Sequence, residues 1–186
     1  MTGSTGLRII SGQWRGSRLP VLDKKGLRPT PDRVRETVFN WLNPYLRGAR
    51  VLDCFAGAGG LGFEAASRYA EKVVMVDLDR EVCTNLEKQV NRLNAKNIRI
   101  EKQGIEACLA TEKEAFDIVF IDPPYDQPEL REGVVSRLFE ADLITSQSML
   151  FIEWPVDQEV LLNGFGLTWI KHKVAGQVNY AIAQRE

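Results

Sequence analysis

Arg50-Val51-Leu52-Asp53-Cys54-Phe55-Ala56-Gly57-Ala58-Gly59-Gly60-Leu61-Gly62 is the stretch that decides the fold. Its first five residues are a short apolar strand that ends in an acid. Gly57, Gly59 and Gly62 then take the spacing GxGxxG, and small residues carry a helix to about Tyr69. A strand, a glycine turn and a helix in that order open a nucleotide-type site. Glycines let the backbone approach a ligand closely, and the start of a helix offers unpaired N–H groups. The plain alternative is a tight strand-to-helix turn that binds nothing.

Downstream, the same rhythm repeats. Residues 72–77 form a strand that again ends in an acid, and Val82, Leu86, Val90 and Leu93 line one face of a helix. Further strands are expected at residues 98–102, 117–122 and 149–153, with helices at 105–112 and 129–140. Apolar strands alternating with helices make an α/β, doubly wound, mostly parallel sheet. Residues 167–173 and 178–184 flank Ala175-Gly176-Gln177 and complete a seven-stranded sheet as an antiparallel hairpin at its edge.

Upstream, residues 7–10 and 17–21 read as a small β-hairpin. Thr30 is a good N-cap, Pro31 suits the first helical position, and a helix over 31–43 should stop at Pro44. Two parts are therefore expected: residues 1–48 as a hairpin-and-helix extension, and 49–186 as the sheet domain.

The chain has 186 residues, a net charge of −1 and 44% hydrophobic residues, enough for one real core. No apolar run approaches the ~20 residues of a membrane span, and the N-terminus lacks a signal-peptide stretch. Cys54, Cys83 and Cys108 are too widely spaced for a disulfide scaffold or a CxxC metal site. His172 is the only histidine, which excludes His-based triads. A cytoplasmic monomer without a metal is expected, with Cys54 and Cys108 in the core and Trp154 and Trp169 in packing roles. The near-zero charge hides an asymmetry. Residues 1–50 carry ten Lys/Arg and three acids, a net of +7, whereas residues 51–186 carry −8. A cationic segment on an acidic body suits a polyanionic partner; a solvated basic face is the alternative.

Asp53 discriminates between ligands of the glycine loop. An acid at the first strand end is a poor neighbour for a pyrophosphate. It suits the ammonium and sulfonium of S-adenosylmethionine, while Asp77 can accept from ribose hydroxyls. The loop resembles the first motif of the class I methyltransferases. Both acids have a simpler role open to them, as a capping acid and an exposed strand-end charge respectively. Candidate cofactor residues are Asp53, Phe55, Ala56, Gly57, Gly59, Asp77, Leu78, Gly104, Ile105 and Asp122. Where methyltransferases often carry an adenine-binding Asp or Asn, this chain has Lys102-Gln103-Gly104-Ile105. Adenine contact then falls to the Ile105 backbone or to Gln103.

Asp122-Pro123-Pro124-Tyr125 ends the fourth strand of the sheet. It resembles the (Asn/Asp/Ser)-Pro-Pro-(Tyr/Phe) motif of methyltransferases acting on amines conjugated to a ring or carbonyl. Such an amine is a poor nucleophile because its lone pair is delocalised. If an Asp122 oxygen and the Pro123 carbonyl accept its two hydrogens, the nitrogen is driven towards a pyramidal shape. Two prolines hold that backbone, and Tyr125 offers a ring for a flipped base. Asp122, Pro123 and Tyr125 are the catalytic candidates.

The resemblance extends over the whole chain. Gly12-Gln13-Trp14-Arg15-Gly16, Leu19-Pro20, the run from Leu27 to Leu42, the glycine loop, Asp122–Tyr125 and Lys173–Val178 are similar to the RsmD family. That family comprises bacterial 16S ribosomal RNA guanine-N2 methyltransferases. The resemblance implies S-adenosylmethionine as cofactor and 16S rRNA in the small subunit, or its assembly intermediate, as partner. Within the cationic segment, Trp14, Arg15, Arg18, Arg28, Arg33 and Arg35 then become candidate RNA contacts, Trp14 as a stacking or wedge residue, with Arg28-Pro29-Thr30 and Asp32-Arg33 open alternatively to a place at the border of the cofactor pocket. Other readings are an adenine-N6 or glutamine-N5 methyltransferase, an NAD-dependent oxidoreductase and a non-catalytic RNA-binding module.

Overall fold

A computed structural model describes residues 6–24, 27, 29–160 and 164–185. Arg28 lies outside the described residues. The elements run β1 (Leu7–Arg8), β2 (Arg18–Leu19), α1 (Asp32–Leu46), β3 (Arg50–Asp53), α2 (Gly60–Ser67), β4 (Lys72–Asp77) and α3 (Arg80–Leu93). They continue with β5 (Ile98–Lys102), α4 (Ile105–Thr111), β6 (Ile118–Ile121), α5 (Glu129–Glu140), β7 (Met149–Pro155), β8 (Leu167–Ala175) and β9 (Val178–Arg185).

The described strands form one two-stranded ribbon, β1-β2, and one seven-stranded sheet in the order β5-β4-β3-β6-β7-β9-β8. The first five strands of the sheet are parallel, while β9 runs antiparallel between β7 and β8. This is the doubly wound sheet with a terminal hairpin that the sequence predicts. Strand order turns back on itself between β3 and β6, the topological switch at which such sheets bind ligands.

Alternate residues of each strand feed two cores. Val51, Met75, Phe120 and Phe151 pack on one face with Leu7, Ile9 and Leu19 of the ribbon, Val38 and Phe39 of α1, Phe63 of α2 and Leu86 of α3. Leu52, Val74, Val119 and Leu150 pack on the other with Cys108 of α4 and Val135 and Leu138 of α5. Among the described residues, no helix is long and apolar enough to cross a membrane.

The N-terminal ribbon is shorter than expected because its backbone finds other partners. The amides of Ile10 and Ser11 donate to the Glu64 carboxylate of α2 at 2.7 and 3.0 Å. The loop then lies directly on the end of α2. Gly12 has φ +84°, and a Cβ there would come within 1.9 Å of the Ser67 carbonyl oxygen, so only glycine fits.

Two helix-end expectations are corrected. Thr30 does not cap α1; Pro31 holds that position with no side-chain cap, and the Thr30 hydroxyl is directed elsewhere. Nor does Pro44 stop α1, which runs to Leu46. The hydrogen bond that Pro44 lacks would have used the Asn40 carbonyl, on the exposed side of the helix, while Leu46 is buried in the core.

Candidate active site

Four adjacent parallel strands carry a carboxylate at their C-terminal edge: Asp77 and Asp53 as the last residues of β4 and β3, Asp122 just after β6, and Glu153 two residues before the end of β7. Each lies two residues beyond a member of the same core face: Met75, Val51, Phe120 and Phe151. A strand alternates sides with period two, so all four side chains leave the sheet on that face. Ile121 pairs with Ile152, which sets Asp122 beside Glu153 one step further on.

Asp53 is 2% exposed and sits under the glycine loop. It accepts the Gly62 amide at 2.9 Å and also the Phe55 amide, so it does cap α2 as a structural acid would. Its carboxyl is nonetheless pushed up to about 7, first by burial and then by the charges of Asp122 and Asp77. Asp77 accepts from the Gly57 and Asp79 amides, both at 2.9 Å, and its carboxyl is also raised by burial. The glycine turn itself is held by Ala56, whose amide donates to the Val76 carbonyl, and by Gly59, left-handed at φ +82°.

Several features around these acids suit an adenosyl cation. Leu78 is 76% exposed beside Asp77, an apolar platform of the kind a flat base can cover. Gly104 precedes α4, and among the described residues, its chain neighbours aside, no atom lies within 4 Å of where its Cβ would be, which leaves open space beside the buried Ile105. Phe55 is half-buried against the second core. The Gln103 amide donates to Glu101 at 3.0 Å, so that side chain is already engaged.

The segment before α1 runs along the same edge. The Lys24 ammonium pairs with Asp79 and Glu81 at 2.5 and 2.7 Å. Leu27 lies 3.3 Å from where a Cβ on Gly57 would be. The buried Thr30 donates to Asp122.

Asp122 is half-buried, and its carboxyl is raised by burial, opposed by the Thr30 hydroxyl and the Arg131 charge. Pro123 is buried, and the Tyr125 ring is 38% exposed. The motif is held by a chain of hydrogen bonds: Arg131 to the Gln158 side-chain oxygen Oε1 at 2.9 Å, Gln158 Nε2 to the Tyr125 backbone carbonyl at 3.2 Å, and the Tyr125 hydroxyl to Glu153 at 3.1 Å. Arg131 and Glu153 have no counterpart among the residues singled out from sequence, whereas Thr30 stands where the sequence allowed a border of the cofactor pocket. Glu153 was within reach, since it ends an apolar strand as Asp53, Asp77 and Asp122 do. Nothing local points to Arg131.

The cationic segment divides on folding. Arg15, Arg18 and Arg33 are exposed. Arg15 lines a hollow of about 210 Å³ with Arg8, Ile10, Asp32 and Glu36, where two acids offset two arginines. Arg35 is corrected: it is fully buried on the inward face of α1. It donates to the Arg8 carbonyl at 2.7 Å and Asp32 at 2.6 Å, and it faces the buried Glu64. Trp14 lies in the loop between β1 and β2. It is partly buried against the first core, and its amide donates to Ser67. Trp154 packs against Trp169 and stacks on His172, which lies on the edge strand β8.

The fold and this carboxylate-lined edge define a methyltransferase of the class I type. Residues 7–184 match the family described as Conserved hypothetical protein 95. The chain is 42% identical over 185 residues to the ribosomal RNA small subunit methyltransferase D of Escherichia coli, covering 100% of this chain and 93% of that one. It is 40% identical to the Haemophilus influenzae protein of the same name, covering 96% and 93%. The solved structure of the Escherichia coli yhhF protein superposes with a TM-score of 0.87 at 39% identity, covering 97% of this chain and 98% of that one. The chain belongs to the ribosomal RNA small subunit methyltransferase D family.

Proposed function

We propose that this chain transfers a methyl group from S-adenosylmethionine to the exocyclic N2 of a guanine in 16S rRNA, within the small subunit or its assembly intermediate. One observation carries the reading. In a member of this family, Asp122-Pro123-Pro124-Tyr125 stands next to the glycine loop across the switch point of the sheet.

S-adenosylmethionine supplies an electrophilic methyl carbon on a sulfonium. Asp53 and Asp77 hold its cationic and ribose ends, Leu78 packs on the base, and the open edge at Gly104 and Ile105 receives the adenine. The site residues fit a cation because the Asp53 carboxyl, raised first by burial, is raised further by the charges of Asp122 and Asp77, a cost that a nearby positive charge offsets.

Asp122 and the Pro123 carbonyl accept the two hydrogens of the amine and localise its lone pair. The partly exposed Tyr125 ring stacks on the target base. As the new N–C bond forms, the S–CH3 bond breaks and its electron pair stays on sulfur, which leaves as the neutral thioether S-adenosylhomocysteine; the nitrogen sheds one proton, and the hydrogen-bonded Asp122 carboxylate accepts it. Fixing the amine in line with the methyl supplies most of the acceleration. Arg15, Arg18 and Arg33 contact phosphates away from the reacting atoms and position the RNA.

The test is methyl incorporation from labelled S-adenosylmethionine into small-subunit particles that lack the modification, followed by mapping of the labelled base. A single N2-methylguanine is expected. Label on an adenine N6 or on a protein glutamine would replace this reading, and no incorporation at all would refute it.

A further inference from the structure

Glu153 is the most confined acid of the site outside the glycine loop. It is 5% exposed on β7. Its Oε1 accepts the Tyr125 hydroxyl at 3.1 Å. Its Oε2 is buried and has no hydrogen-bond partner among the described residues. A buried acceptor without a donor is costly, and native structures keep few of them, each calling for a specific reason such as a role in the chemistry of a site. Strand register sets Glu153 beside Asp122, the residue that grips the amine.

Guanine carries two kinds of N–H on adjoining atoms of one edge, the N2 amine and N1–H. Adenine has an acceptor at N1 instead. A base whose N2 hydrogens are held by Asp122 and Pro123 turns N1–H towards the neighbouring strand end, where Glu153 waits. Resting on the proposed guanine-N2 chemistry, we infer that Glu153 Oε2 accepts N1–H and is the residue that selects guanine. Burial and the nearby Asp122 hold the free Glu153 carboxyl above its usual range. An N–H donor favours the ionised form, so a base that brings one offsets the cost of burying the charged carboxylate. Tyr125 then has two tasks: stacking through its ring, and orienting the carboxylate through its hydroxyl.

The probe is 2-aminopurine, which keeps the 2-amine and lacks N1–H. Particles are reconstituted with guanine or 2-aminopurine at the mapped target position, and kcat/KM is measured for each. The wild-type enzyme should prefer guanine by at least about a hundredfold, since a site built to bond an N–H rejects an analogue without it. Glu153→Gln turns an obligatory acceptor into a group that can also donate to N1 of 2-aminopurine. That preference should then narrow by about tenfold or more, while cofactor affinity by calorimetry and the melting temperature stay close to wild type. The wild-type comparison needs no variant, so the inference can fail even if Glu153→Gln does not fold. Equal use of both bases by the wild type overturns it, as does an unchanged preference in a folded Glu153→Gln. In either case guanine would still be methylated, which separates this failure from one of the guanine-N2 reading itself.

Discussion

The Thr30 hydroxyl donates to the Asp122 carboxylate, so a residue just ahead of the first helix is part of the environment of the methyl-acceptor motif. That bond lowers an Asp122 carboxyl that burial otherwise raises. Removing it with Thr30→Val should raise the Asp122 pKa further. The acid limb of the kcat/KM profile should move to higher pH, with turnover at pH 7 falling about threefold, as expected when a hydrogen bond worth about 1 kcal/mol is lost by a carboxyl that titrates at about 7, and recovering in more alkaline buffer. An unmoved acid limb would mean that Thr30 does not tune Asp122.

Asp53 ties cofactor affinity to pH. An unfolded Asp releases its proton near 3.8, whereas in the folded chain Asp53 keeps it to about 7. The folded state thus holds the extra proton between those values. Its contribution to stability is fully present below the lower value and is lost as pH rises through about 7. A bound cation favours the ionised form, so binding below pH 7 expels a proton. Affinity for S-adenosylmethionine should tighten from pH 6 to 8, by at most about tenfold per unit below the Asp53 pKa. Asp53→Asn, which can still accept the Gly62 amide, should flatten that slope in calorimetric titrations. A slope that survives the substitution would assign the effect to another group.

Asp122→Ala removes the acceptor of the substrate amine without touching the glycine loop. Methylation should fall by at least about tenfold while cofactor affinity changes little, the signature of an interaction made to the reacting substrate. Undiminished turnover would take Asp122 out of the mechanism.

The N-terminal arginines should separate into two groups. Arg35→Ala breaks a buried ion pair, although Arg68 at 2.8 Å and two amides continue to serve Glu64. A loss of about 3 kcal/mol, roughly 6–12 °C in melting temperature, is expected. Arg15→Gln with Arg18→Gln should leave the melting temperature within about 2 °C, weaken RNA binding, and flatten the dependence of log K on log salt by up to about two phosphate contacts. If the double variant keeps the wild-type salt slope, those two side chains are ordinary surface charges.

The alternation of apolar strands with amphipathic helices follows from local physics, and so do the glycine turn and the strand-ending acids. Period two and period 3.6 are written in the order of residues, and glycine spacing marks where the chain must turn tightly. The sequence by itself therefore determined the doubly wound sheet, its terminal hairpin and the candidate roles of Asp53, Asp77 and Asp122. It did not determine which charges face water. Arg35 and Arg33 are both basic residues of one helix, but only Arg35 falls on its inward face, above Glu64 of another helix. Nor could it show that Thr30 abandons its cap for an acid 92 positions away in the chain, or that Glu153 has an oxygen with nothing to bond. Those are relations between distant segments, set by strand order and register. Only the tertiary structure decided them, because burial and hydrogen bonding are properties of what lies opposite a residue in space, not of the residue or its neighbours in sequence.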